Sequence, residues 1–263
     1  MILLTPNALH RIVVKVGTST LTHQTGLLNL RRIELLVRVL SDIKNSGIDV
    51  ILVTSGAIGV GMSKLGMTSR PNDLSHKQAA AAVGQCELMH IYDKFFLDYG
   101  QVVGQILITR DDIDRESRHE KIIDTFKALL EVGAIPVVNE NDSVGVEEIL
   151  FGDNDSLSAE VATVCDADLL VLLTDIDGLY DADPHKNPNA KIIPVVHEVT
   201  DELKECAGGA GTSRGTGGMI TKLQAAETAL KANIPMVIAN GRDPEILYKI
   251  VAGQSVGTLF TTK

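Results

Sequence analysis

Two lysines and a scatter of acidic and amide residues have the types and spacing to move a phosphoryl group. Lys15 interrupts an otherwise aliphatic run, Arg11–Val16 (RIVVKV), close to its carboxyl end. A lysine there is costly to bury without an anionic partner, and a phosphate is such a partner. Lys222 follows the segment 207–218 (AGGAGTSRGTGG), in which six of twelve residues are glycine. Glycines let backbone N–H groups approach an anion, and a helix starting just beyond them adds unpaired donors and a positive dipole end. A lysine in that helix's first turn leans back toward the same end. This pattern predicts a phosphate cradle. Between the lysines lie Asn139-Glu-Asn-Asp142 and Gly152-Asp-Asn-Asp155. Asp155 has the charge to hold both lysines in place, while Asn154 and Asp142 suit a grip on a substrate. Each residue also has a plainer reading. Lys15 can snorkel from a strand end, Asp155 can cap a helix, and Asn139 and Asp142 can form turns.

These residues need elements to carry them. Short aliphatic runs alternate with longer helical patterns. Strands are expected at Arg11–Val16, Asp49–Thr54, Val102–Leu107, Ile135–Val138, Leu169–Thr174 and Met236–Ala239, with a last one near Val256–Phe260. Asn29 is placed to cap a helix with apolar residues at Leu30, Ile33, Leu36, Val37, Leu40 and Ile43, and Gly47 falls at its C-terminal cap. Ser75-x-x-Gln78 resembles a capping box opening an alanine-rich helix. Further helices fit near 117–132, 156–165, 219–232 and 244–252. Strands of this length separated by helices pair in parallel with both faces covered. The expected fold is therefore α/β, an open, doubly wound, mainly parallel sheet sandwiched by helices. In such sheets ligands bind beyond the carboxyl ends of the strands. Five strands run there into polar turns: Lys15-Val-Gly-Thr-Ser19, Thr54-Ser-Gly-Ala57, Asn139–Asp142, Thr174-Asp-Ile-Asp-Gly178 and Asn240-Gly241. No linker or repeat divides residues 1–263, which read as one domain. Segment 180–200 reads as a short hairpin excursion, a lid or an adenine-side flank.

Composition narrows the class. The chain has 263 residues and a formal net charge of −10, which disfavours nucleic acid and anionic membranes as partners. Five Phe, four Tyr and no Trp leave little for base stacking. Three cysteines with no CxxC make no disulfide framework. No apolar run approaches the ~18 residues of a membrane span, and Met1-Ile-Leu-Leu is no signal peptide. A cytoplasmic protein is expected. P-loop, GxGxxG, protein-kinase, HExxH and GxSxG patterns are all missing, and the seven histidines show no metal-ligand spacing.

The motifs together resemble the amino acid kinase family, and within it the branch that phosphorylates glutamate. The matching stretches are KVGTSTLT (15–22), VTSGAIGVG (53–61), NENDSV (139–144), FGDNDSLSA (151–159), LLTDIDGLYDADP (172–184) and GTGGMITKLQAA (215–226). The resemblance implies transfer of the ATP γ-phosphoryl group to the γ-carboxylate of L-glutamate, giving γ-glutamyl phosphate on the way to proline. It implies catalytic roles for Lys15, Lys222 and Asp155. It places glutamate on Ser55, Gly56, Asn139, Asp142 and Asn154, with Asp142 on the substrate ammonium. It places ATP on Lys15, Gly17, Thr174, Asp175, Thr216, Gly217, Gly218, Met219, Ile220, Thr221 and Lys222. Mg²⁺ would be held mainly by phosphate oxygens and water, with no protein ligand named. Proline is implied as a feedback inhibitor and a homodimer or homotetramer as the assembly. Many relatives carry an extra C-terminal domain, of a type found in RNA-modifying enzymes, that is not seen in this chain. Two other readings use the same rim: a kinase for another acid, such as aspartate or acetylglutamate, and a non-catalytic nucleotide sensor. A dinucleotide oxidoreductase fits less well, lacking the glycine fingerprint.

Overall fold

The computed structural model describes residues 9–23, 25–145, 154–182, 184, 187, 189–207 and 218–262. The strands are β1 (Arg11–Val16), β2 (Asp49–Val53), β3 (Val103–Ile108), β4 (Ile135–Glu140), β5 (Leu169–Thr174), β6 (Val195–Val196), β7 (Met236–Asn240) and β8 (Thr258–Phe260). The helices are α1 (Thr18–Leu21), α2 (Leu30–Asn45), α3 (Ala57–Lys64), α4 (Leu74–Asp98), α5 (Arg110–Asp114), α6 (Glu116–Glu131), α7 (Asn154–Val164), α8 (Asp201–Ala207), α9 (Met219–Lys231) and α10 (Ile246–Val251).

The strands form one sheet in the order β3-β4-β2-β1-β5-β7-β8-β6. From β3 to β7 every pair is parallel, and β8 runs antiparallel against β7. The expected doubly wound architecture is thus present. The chain first builds on one side of β1 and then crosses to the other with β5. The boundary between β1 and β5 is the point where the winding reverses, where such sheets open a crevice for ligands.

Side chains alternate along each strand, so the sheet has two cores. Val13, Val53, Val138 and Leu172 face one core, with Leu157, Leu223 and Phe126 from α7, α9 and α6. Ile12, Val14, Val16 and Leu52 face the other, with α2, α4 and α10. By the same alternation Lys15 lies on the α7/α9 side.

Asn29 caps α2, accepting from the Arg32 amide at 3.2 Å, and Gly47 beyond it has φ +98°. The opening of α4 differs from expectation. Asp73, rather than Ser75, caps it, with its side chain accepting from the His76 amide at 3.0 Å. β4 continues through Asn139 and Glu140 because both pair with β3. Four helices were not expected: α1, α3, α5 and α8. A bridge between Tyr180 and Ile192 matches the expected hairpin.

Candidate active site

The carboxyl ends of β1, β2, β4, β5 and β7 share one edge of the sheet, as parallel pairing requires. Three charged side chains meet there. Asp155 sits in the first turn of α7 and is fully buried. Lys15 Nζ donates to its Oδ1 at 2.5 Å, and Lys222 Nζ donates to its Oδ2 at 3.1 Å. Both lysines are themselves buried, at 8% and 6% exposure. Asp155 is therefore an ion-pairing residue inside the helix, not its cap. Lys15 is likewise paired rather than snorkelling. Burial by itself would push the Asp155 carboxyl up. The two ammonium groups and their hydrogen bonds outweigh that and hold it at about 2, below its ordinary 3.8. Two ammonium groups against one carboxylate leave this trio with one positive charge in excess, at the mouth of the sheet crevice. Thr221 Oγ1 lies 2.9 Å from Asp155 Oδ2 and 2.8 Å from Gly218 O, either of which can accept its proton.

A second group of residues is neutral. Asn154, beside Asp155, points its Nδ2 at three oxygens: Thr54 O at 2.5 Å, Asn139 Oδ1 at 2.8 Å and Ser55 Oγ at 3.0 Å. Asn139 Oδ1 also receives the Glu140 amide at 3.0 Å, and its Nδ2 donates to Gln85 Oε1 at 2.7 Å. The ends of β2 and β4 and the start of α7 are thereby tied together through side-chain amides. Asn139 is not a mere turn former, since it is 2% exposed and bonded on both sides. Asp142 lies beyond it, and burial pushes its carboxyl up to about 6, partly offset by the positive charge of Arg70.

Gly56 turns the chain from β2 into α3 with φ +94°, and a Cβ there would stand 3.2 Å from Thr18 Cγ2. A side chain is strained there by conformation and crowded by Thr18. Gly17 precedes α1 in extended backbone, and a Cβ there would lie 3.9 Å from Lys15 Nζ. Thr174 is buried at the end of β5, and its hydroxyl donates to the exposed Asp175 at 3.2 Å. Gly218 caps α9, whose first residues are Met219, Ile220, Thr221 and Lys222. Thr216, Gly217 and the rest of the glycine-rich segment from 208, with Gly152 and Asp153, lie outside the described residues. Of the predicted residues, the structure brings Lys15, Asp155, Lys222 and Thr221 into one group and Ser55, Asn139 and Asn154 into another. Gln85 and Tyr92 were not anticipated. Tyr92, fully buried, shares a hydrogen bond with Thr54 Oγ1 at 2.8 Å.

Among the described residues no group of three or more His, Cys, Asp or Glu is placed to hold a metal ion, and no helix is long and apolar enough to cross a membrane.

The model of the amino acid kinase family matches residues 10–240. Glutamate 5-kinase of Clostridium perfringens is 55% identical over 257 residues, covering 96% of each chain. Glutamate 5-kinase of Clostridium acetobutylicum is 57% identical over 254 residues, covering 97% of this chain and 95% of that one. The Caldanaerobacter subterraneus enzyme of the same name is 55% identical, and the match covers 67% of its length. Among solved structures, UMP kinase from Bacillus anthracis superposes with a TM-score of 0.67 at 18% identity, covering 97% of both chains. An isopentenyl phosphate kinase from T. acidophilum gives 0.65 at 19% identity. At that identity these two speak for the fold alone.

Proposed function

The chain belongs to the amino acid kinase family, and on that premise we propose that it phosphorylates the γ-carboxylate of L-glutamate with ATP, as a glutamate 5-kinase. A γ-carboxylate oxygen attacks the γ-phosphorus of ATP. The bond from that phosphorus to the bridging oxygen breaks, and ADP leaves with the electron pair. The products are γ-glutamyl phosphate and ADP, a first step toward proline.

The chemistry asks little of an acid or base. A glutamate carboxyl, with a pKa near 4.3, is already ionised at neutral pH. The obstacle is repulsion between that carboxylate and the phosphates. Lys15 and Lys222 offset it, and they stabilise negative charge on the transferring group. Asp155 holds both ammonium groups at fixed positions, so little reorganisation is needed at the moment of transfer. The start of α9 contributes its amino-end amides and dipole end. Mg²⁺ enters as part of the MgATP substrate, carried by phosphate oxygens and water. That suits a site whose buried carboxylate already has two ammonium partners.

In this reading Ser55, Gly56, Asn139, Asp142 and Asn154 bind glutamate, with the Asp142 carboxylate on the α-ammonium. Gly17, Thr174, Asp175 and residues 216–222 line the nucleotide site. The amino-terminal part of a single domain serves glutamate and the carboxyl-terminal part serves ATP. Proline competes at the glutamate site, and the chain works as a homodimer or homotetramer in the cytoplasm.

The observation that carries the reading is the buried Lys15–Asp155–Lys222 trio at the point where the sheet reverses its winding. The test is ADP release from MgATP with a panel of amino acids and hydroxylamine to trap acyl phosphate. Glutamate-dependent ADP release with hydroxamate is the expected result. Turnover on aspartate or acetylglutamate instead overturns the substrate, and nucleotide binding without turnover on any acid overturns the reaction.

A further inference from the structure

We propose that Gln85 is a positioning residue for the glutamate half of the site, acting through Asn139 and Asn154. The inference rests on the reading above that these residues bind glutamate. It starts from α4, a helix of 25 residues. Gln78, Gln85 and Tyr92 recur on it every seventh residue. Seven residues fall about 20° short of two helical turns, so the three share one stripe about 21 Å long. Each touches a different piece of the site. Gln78 Nε2 donates to Gly145 O at 3.1 Å, in the turn that carries Asp142. Gln85 Oε1 accepts from Asn139 at the end of β4. Tyr92 bonds Thr54 at the end of β2.

The helix is held at a fixed depth for this. A Cβ on Gly84 would stand 1.8 Å from Ala57 O, and one on Gly61 would stand 1.8 Å from Ala80 O. α3 and α4 therefore touch backbone to backbone, directly behind the turn containing Ser55 and Gly56.

The hydrogen bonds run in one direction only. The Glu140 backbone N–H must donate, which makes its partner on Asn139 the oxygen. Asn139 then turns its NH₂ toward Gln85, which must offer its oxygen. With that orientation set, Asn139 Oδ1 can receive Asn154, and Asn154 is aligned between Thr54 and Ser55. Gln85 is 8% exposed, and its own Nε2 is buried with no hydrogen-bond partner among the described residues. A buried donor without an acceptor destabilises a fold. A hydrocarbon of the same shape would avoid that cost, so the acceptor it offers Asn139 explains the glutamine better than packing does.

The test compares steady-state kinetics and thermal unfolding of the wild type, Gln85→Met and Gln85→Glu. The methionine fills the same space with only a weak thioether in place of the amide oxygen, and the glutamate restores an oxygen. Gln85→Met is expected to raise KM for glutamate about tenfold, roughly one buried hydrogen bond. KM for ATP should stay within about twofold and the unfolding midpoint within a few degrees, because the loss is local. Gln85→Glu should recover most of the glutamate affinity. An unmoved KM for glutamate in Gln85→Met overturns the proposal, as does a parallel change in both KM values with a fall in stability. If Gln85→Met does not fold, Tyr92→Phe decides: a selective rise in KM for glutamate supports the stripe, and no change overturns it. Wild-type protein inactive on glutamate brings down both readings, whereas active wild type with an unmoved variant KM brings down only this one.

Discussion

Around Asp155 the site is built from charge, and around Asn139 it is built from neutral amides. An ammonium group donates in three rotatable directions and attracts from any of them, so the trio needs burial and a counter-ion more than it needs aim. An amide acts only through the way it faces, so each one needs a partner to fix it. The charged half is accordingly compact, with two lysines on one carboxylate. The amide half is extended, drawing on β2, β4, α4 and α7. Two carboxylates mark the contrast. Asp155 is held at about 2 by its lysines despite burial, whereas burial lifts Asp142 to about 6. The first is fully paired by the protein, whereas the second feels only the partial offset of Arg70, and in the proposed reading it is the one that meets the substrate α-ammonium.

That contrast can be broken by experiment. The largest effect is expected from Asp155→Asn, which leaves two buried ammonium groups with one neutral partner. It should cost about 3 kcal/mol of stability by urea unfolding at neutral pH. The deficit should shrink at low pH. A carboxyl with a lowered folded pKa stabilises above its unfolded value near 3.8 and loses that contribution as pH falls through about 2. An unchanged midpoint would mean that the three charges are not coupled. Lys15→Ala and Lys222→Ala should each cut turnover at least ~100-fold in folded protein. Near wild-type turnover in either would remove that lysine from the transfer step. Asn154→Ala should act on binding instead, raising KM for glutamate about 30-fold with a smaller change in kcat. If kcat falls while KM holds, the division between charge and amide is wrong. The smallest effect is that of pH on glutamate binding. Asp142 takes up a proton as pH falls through about 6. KM for glutamate should therefore be about fourfold higher at about pH 5.5 than at pH 8, from the lost carboxylate. Asp142→Asn should abolish that pH dependence. It should also slightly stabilise the unliganded protein at neutral pH, since a group with a raised folded pKa favours unfolding as pH rises through that value. A flat pH profile in the wild type would show that the ammonium binds elsewhere.

Much of this was legible in the residues. The strands carrying Lys15 and Thr174, and the one that ends just before Thr54, announce themselves as aliphatic runs, because both of their faces are covered. Their polar ends converge because parallel pairing puts them on one edge. α3 was harder to see. Its sequence, AIGVGMSK, holds two glycines that lower helix propensity, and Gly61 is explained only by the backbone of α4 lying against it. Asp73 was overlooked for Ser75 because both can cap, and only the chain's path decides between them. Asp155 reads equally as a cap or as a counter-ion until α7 is known to begin at Asn154. Gln85 left a faint signal. Polar side chains at positions 78, 85 and 92 share one stripe of an alanine-rich helix, a pattern that hydrophobic periodicity is not designed to notice.

Lys15 has a consequence for how the chain finds its fold. β1 is a central strand, paired along its length with β2 and β5, and four of its residues besides Lys15 are fully buried. Aliphatic strands of this kind carry little information about register, since valine and isoleucine pack comparably on either face. A slip by one residue would turn Lys15 out of the α7/α9 layer and into the hydrocarbon between the sheet and α2, away from Asp155. An unpaired ammonium there costs several kcal/mol, enough to empty the misaligned state. The lysine that pairs with Asp155 thus also fixes the alignment of the central strand.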